Sequence, residues 1–199
     1  MKMFKLWDTR PVVGIVLFPK VEVLDFAGPY EVFACAKNAK GKTLFRVHTM
    51  AAVREVESQG GLRVRPDYLL DKAPGLDIIV VPGGPGAREH HRQKPVLEFL
   101  RQRAETPADI VSVCTGSYLL AAAGLLDGLE ATTHSARLDD FSKTFSKVKA
   151  KGEKIVDQGR IITSAGVSSG IDLALYLLEK YYGNEARSRE AKRLDGPWQ

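Results

Sequence analysis

Asp109-Ile110-Val111-Ser112-Val113-Cys114-Thr115-Gly116-Ser117 is the stretch that decides the fold. An apolar run that reads as a β-strand ends at Cys114, and a helix follows at once. Small residues sit two positions before the cysteine (Ser112) and two after it (Gly116). A tight strand-to-helix turn needs that spacing, because bulk at either position blocks it. Such an elbow lifts its apical side chain to the carboxyl end of the strand, where open α/β sheets bind ligands. The helix N-terminus adds a positive dipole end and unpaired N–H groups, so the spacing predicts an anionic, nucleophilic sulfur at Cys114. The plainer alternative is a small buried packing residue, the role of most free cysteines.

Outward from the elbow, short apolar runs alternate with amphipathic segments, which favours a parallel sheet covered on both faces. Val12–Phe18 is a continuous apolar run, as a buried central strand requires. A helix is predicted over Asp25–Ala36, entered through Gly28-Pro29 because proline suits a first turn. Further strands are expected at Phe45–Met50, Ile78–Val81, Ala131–Thr133, Lys154–Val156 and Ile161–Ser164. Helices are expected at Pro95–Ala104, at Gly116–Ala123 with Gly124 as its stop, and at Ile171–Tyr182. With no repeat or linker visible, residues 1–199 read as one domain with its core over about 12–183 and short extensions at each end.

The loop Val81-Pro82-Gly83-Gly84-Pro85-Gly86 follows a second buried run. Adjacent glycines let backbone N–H groups approach a ligand. Together with the Thr115 N–H, this loop is expected to form an oxyanion hole beside the sulfur. It lacks the Lys-Ser/Thr ending of a phosphate loop.

The 199 residues are 44% hydrophobic and 27% charged, with a formal net charge of +5. The excess of base is scattered, and the basic stretch Lys143–Lys154 has no aromatic interleaving beyond Phe145, so nucleic acid is not the expected partner. No run approaches the roughly 18 apolar residues that span a bilayer, and the amino-terminal segment lacks the apolar core of a secretory signal. A soluble, cytoplasmic protein without a membrane partner is expected, and its two cysteines do not make a disulfide framework.

Five segments together resemble the ThiJ/PfpI superfamily, and within it the isonitrile hydratase-like branch. They are Leu24–Pro29 (LDFAGP), Val81–Gly84 (VPGG), Ser112–Ser117 with Ala122–Leu126, Ala131–His134 (ATTH) and Gly166–Leu175 (GVSSGIDLAL). The resemblance, which runs from about Val13 to Tyr182, implies a flavodoxin-like three-layer sandwich. It also implies a homodimer acting on a small-molecule substrate, with no metal and no organic cofactor. Cys114 would be the nucleophile and Asp25 the acid facing it. Thr115 would contribute its backbone N–H beside Gly84, and the reaction would be addition of water to an isonitrile, R–N≡C, to give an N-substituted formamide. For Asp25 the plainer role is a helix cap.

Two departures stand out. Proteolytic and amidase-like relatives place His after the cysteine, where this chain has Thr115, which disfavours a papain-like relay. The family's ATTH is usually followed by Trp, and here Ser135 follows, which alters one pocket wall. His134 is either a substrate contact or a structural histidine. His90 and His91 lie in the charged stretch Arg88–Lys94 and read as surface, and Cys35 reads as packing.

Other functions compete with the isonitrile assignment, since one fold hosts many chemistries. One is a glyoxalase-type or amide-hydrolysing enzyme. Another is a ligand- or redox-sensing domain that uses Cys114 without turnover. If Asp25 and Cys114 meet, both cannot carry charge in a dehydrated pocket, and the expectation is that the carboxyl keeps the proton and the sulfur is the anion.

Overall fold

The structure, a computed structural model, describes residues 8–89 and 92–198. The first strand, β1 (Val12–Leu17), is buried at every position, as a strand covered on both faces must be. The chain then enters helix α1 (Val23–Cys35) and strand β2 (Arg46–Ala51). A small antiparallel pair, β3 (Val56–Glu57) and β4 (Arg63–Val64), precedes the short strand β5 (Tyr68–Leu69). Strand β6 (Ile78–Val81) leads through the double glycine into a single turn, α2 (Pro85–Arg88), and then α3 (Lys94–Ala104).

Strand β7 (Asp109–Val113) stops one residue before Cys114, and α4 (Gly116–Ala122) starts just after it. Gly124, at φ 83°, ends that helical segment in a conformation few other residues adopt without strain. The remainder comprises β8 (Glu130–Ala131), α5 (Leu138–Thr144), β9 (Lys149–Ala150), β10 (Ile155–Asp157), β11 (Ile161–Ser164), α6 (Ser169–Tyr182) and α7 (Asn184–Leu194).

The main sheet runs β10-β11-β7-β6-β1-β2-β5, and only β10 is antiparallel to its neighbour. Numbered along the chain, the five central parallel strands lie in the flavodoxin-like order 2-1-3-4-5, which reverses between β1 and β6. Helices α1, α6 and α7 pack together as one layer, and α2 and α3 pack against α4 in the other. Gly28 and Gly170 bring α1 and α6 close, since a Cβ on Gly28 would stand 3.0 Å from Ile171 and one on Gly170 3.1 Å from Pro29. One continuous buried cluster joins both helical layers to the sheet.

The sequence-based expectations hold for the sheet and the elbow and differ in three places. Helix α1 begins at Val23, not at Gly28-Pro29, and carries Pro29 in its interior. The expected strand Ala131–Thr133 is reduced to β8, which pairs with β9 outside the main sheet. Beyond residue 183 the chain forms α7, which packs on α6. Its sequence is nearly all polar and buries little beyond Ala186 and Ala191, so apolar periodicity does not announce it. Among the described residues no helix is long and apolar enough to cross a membrane.

Candidate active site

The reversal between β1 and β6 opens a crevice at the carboxyl ends of the strands, and β7 delivers Cys114 beside it. Cys114 has φ 55° and is only 5% exposed. Left-handed backbone at a non-glycine residue is strained and is held only where its surroundings over-determine it. Here the Cys114 N–H donates to the Ser164 carbonyl at 3.0 Å. Its carbonyl accepts from the Thr133 and Ser117 hydroxyls at 3.2 and 3.3 Å. Gly116 has to be glycine, because a Cβ there would lie 2.0 Å from the Val81 carbonyl oxygen.

Asp25 comes from the first turn of α1 and is fully buried. It is not the helix cap, since Glu22 holds that position. Oδ2 of Asp25 accepts the Gly83 N–H at 2.9 Å, while Oδ1 is buried without a conventional hydrogen-bond partner. A Cβ on Gly83 would stand 2.6 Å from Thr115 N and 2.8 Å from Asp25 Oδ2, so glycine alone lets these groups converge.

Burial pushes the Asp25 carboxyl up to about 7, helped by the charge of Glu22, while the Gly83 N–H and the Cys114 thiol restrain the rise. Burial likewise pushes the Cys114 thiol up to about 12, reinforced by the Asp25 charge; the Thr115 N–H and hydroxyl oppose this. The anionic sulfur expected from the helix terminus is therefore corrected. Dehydration and a neighbouring carboxylate outweigh the end of a seven-residue helix, so both groups of the pair are raised above their ordinary values and the pair holds on to its last proton.

The expected oxyanion hole also changes. The Gly83 N–H is taken by Asp25, and the Gly84 N–H donates to Thr115 Oγ1 at 2.9 Å. Thr115 instead turns its own backbone N–H toward the sulfur. Gly84, at φ 121°, carries the backbone past the Lys20–Glu22 segment, where a Cβ would stand 2.5 Å from Glu22 N and from the Lys20 carbonyl oxygen.

Above the sulfur lies an open cleft of about 290 Å³, lined by Cys114, Thr115, Gly84 and His134 among others. His134 lines this cleft and is half-buried. Nδ1 of His134 accepts the Ala136 N–H at 3.1 Å, which leaves Nε2 to carry the proton of the neutral ring. Ser135 is exposed and begins a short 3₁₀ turn through Arg137.

Glu22, Gln59, Arg88 and Arg137 also line the cleft, and the sequence reading missed all four. For Glu22, Arg88 and Arg137 the one signal was adjacency to the motifs, since Glu22 lies two residues before Leu24, Arg88 four after Gly84 and Arg137 three after His134, whereas Gln59 had none. A larger surface hollow of about 600 Å³ beside Arg10 and Tyr182 contains no cysteine or histidine. Among the described residues no three His, Cys, Asp or Glu side chains gather as a metal site. His90 and His91 lie outside the described residues.

Comparison with known proteins matches residues 12–180 to the DJ-1/PfpI family. The chain belongs to that family. Among DJ-1/PfpI relatives, it is 36% identical to the isonitrile hydratase of Pseudomonas putida over 171 residues, 86% of this chain and 72% of the relative. It is 31% identical to the HTH-type transcriptional regulator GbdR of Pseudomonas aeruginosa over 87% of this chain, but spans only 47% of that regulator. Among solved structures, a ThiJ/PfpI family protein from Pseudomonas syringae matches with a TM-score of 0.84 at 25% identity, covering 96% of this chain and 77% of the other. Oxidized DJ-1 of Toxoplasma gondii matches with a TM-score of 0.79 at 21% identity, over 94% of this chain and 99% of the other, a likeness of fold.

Proposed function

We propose that this DJ-1/PfpI protein is a cysteine-dependent enzyme that adds water to a small electrophilic carbon, as an isonitrile hydratase-like hydro-lyase. The observation that carries the proposal is the buried Asp25–Cys114 pair at the floor of the cleft. Between about pH 7 and pH 12 the pair holds a single proton, on the thiol or on the carboxyl. Similarity to an isonitrile hydratase over 86% of the chain supports the choice of electrophile.

In that form the chemistry balances without a cofactor. The Cys114 thiol passes its proton to the Asp25 carboxylate as sulfur attacks the isonitrile carbon. The protonated carboxyl then delivers the proton to that carbon, and R–N=CH–S–Cys114 results. Water adds to the same carbon, the C–S bond breaks, and R–NH–CHO leaves with the thiol restored. The Thr115 N–H steadies the sulfur while it carries charge. His134, with Nε2–H free of the turn contact, is suited to hold the attacking water.

A panel of alkyl and aryl isonitriles, with formamide followed by proton NMR, tests the proposal. Wild type and Cys35→Ser are expected to turn over, and Cys114→Ser is not. No formamide from any isonitrile, in protein whose Cys114 still reacts with an alkylator, would refute it. The second reading is a sensing domain in which Cys114 reacts once. It is favoured by the 31% identity to a transcriptional regulator over 87% of this chain.

A further inference from the structure

We infer that the Cys114 cleft takes a substrate carrying a carboxylate, seated between the guanidinium groups of Arg88 and Arg137. The inference rests on the hydratase reading only for the identity of the reacting group at the other end of that substrate. Arg88 closes α2 after the glycine loop, and Arg137 closes the 3₁₀ turn after His134. Distant parts of the chain thus bring two cations to the wall that holds the nucleophile.

Neither guanidinium is paired with an acid among the described residues. Arg193, in contrast, bonds Glu190 at 2.7 Å and Glu31 at 3.0 Å, and Arg10 bonds Asp8 at 2.6 Å. Asp140, three residues after Arg137, forms no ion pair with it; its Oδ2 accepts the Tyr118 hydroxyl at 2.6 Å. That hydroxyl lies 3.3 Å from the Arg137 carbonyl oxygen, and the positive charges of Arg137 and Arg88 both act on it. Both cations thus lie within electrostatic reach of the Tyr118 hydroxyl, and both line the cleft.

Glu22 lines the same cleft and pairs with neither arginine, which leaves one net positive charge among these three groups. A monoanion meets that balance, whereas a dianion would add repulsion from Glu22. A carboxylate also offers two coplanar oxygens, the shape a guanidinium fork accepts. The volume of about 290 Å³ holds roughly ten non-hydrogen atoms at the ~30 Å³ that one water takes in the liquid. The substrate class that follows is a small isonitrile-bearing carboxylic acid.

The test uses two alkylators of matched size, anionic iodoacetate and neutral iodoacetamide, and reads the ratio of their rates at Cys114 by mass spectrometry. The ratio is expected to fall roughly tenfold in Arg88→Gln/Arg137→Gln, the low end of what a charged cleft does to local ion concentration. Added salt should lower the wild-type ratio as well, because both arginines are exposed and screened. A ratio indifferent to salt in wild type, or equal in wild type and the double variant, overturns the inference.

Turnover of isocyanoacetate against its methyl ester separates this inference from the hydratase reading. A wild-type preference for the ester removes the carboxylate seat and leaves the hydratase reading standing. Inertness of both compounds and of the whole isonitrile panel, with an alkylation ratio that responds to salt and to the variants, removes the hydratase reading and leaves the seat.

Discussion

Two regions of this molecule each place a thiol beside a carboxylate, and only one of them has the makings of a reaction centre. Cys35, at the end of α1, is half-buried, and Glu31 one turn before it both bonds the thiol and raises its pKa, as burial does. Glu31 is 53% exposed and lies 3.0 Å from Arg193, so its charge is solvated and matched by a cation. Asp25 is fully buried, has no cation beside it among the described residues, and is pushed up to about 7. The difference teaches that a neighbouring acid does not suffice to activate a cysteine. Dehydration raises the Asp25 carboxyl toward neutrality, so that it can exchange a proton with the sulfur, and the strained elbow aims that sulfur at the cleft.

Four measurements press on that contrast. The largest effect is expected from Cys114→Ser, which should lower turnover by at least about 10³-fold, since a nucleophile and its partner act as one unit. Cys35→Ser should stay within twofold of wild type, and equal losses in the two variants would erase the distinction.

Next comes Asp25→Asn, expected to lower turnover by roughly 10²–10⁴-fold, the usual range for losing a proton-transfer group. In wild type the singly protonated pair appears as pH rises through about 7, so both turnover and Cys114 alkylation should climb there and level off. In Asp25→Asn that step should vanish, while the pH profile of Cys35 labelling keeps its shape. Three superimposable Cys114 profiles for wild type, Asp25→Asn and Asp25→Ala would show that the carboxyl does not act on the thiol.

The third measurement concerns stability. The folded-state pKa of Asp25 is raised above its ordinary 3.8, so its protonated form favours the fold at low pH. That contribution is fully present below about 4 and is lost as pH rises through about 7. Asp25→Asn, which stays neutral, should therefore be more stable than wild type at pH 8, by on the order of 2–4 kcal/mol. The gap should close by pH 4. Thermal melts at the two pH values read it, and a variant less stable at pH 8 would mean that the carboxylate is not held against its preference. The smallest effect belongs to Cys35→Ala, expected to cost less than about 1 kcal/mol because the side chain is only half-buried.

Much of the fold was legible because it depends on short-range pattern. The runs at Val12–Phe18 and Ile78–Val81 are almost wholly apolar, and Asp109–Val113 is interrupted only by Asp109 and Ser112, as short strands buried on both faces require. Ser112 and Gly116 betray the elbow through their size alone. Helix α7 was not legible, because its burial rests on two alanines and on Glu190, a buried acid satisfied by Arg193 one turn away. The start of α1 was misplaced because Pro29 suggests a first turn, while its actual setting is the close α1–α6 contact.

By itself, the sequence determined the parallel sheet and the elbow that carries Cys114, since these follow from local apolarity, small residues and order along the chain, while Asp25 was singled out by the resemblance to the ThiJ/PfpI superfamily. Only the tertiary structure decided how far burial raises both groups of the pair, which amide faces the sulfur and which charges rim the cleft. Each of those depends on dehydration and on partners remote in sequence. Gly83 reaches Asp25 across 58 residues, and Gly84 reaches Thr115 across 31. No pattern of neighbours encodes how much water is left around a carboxyl once such distant segments have closed over it.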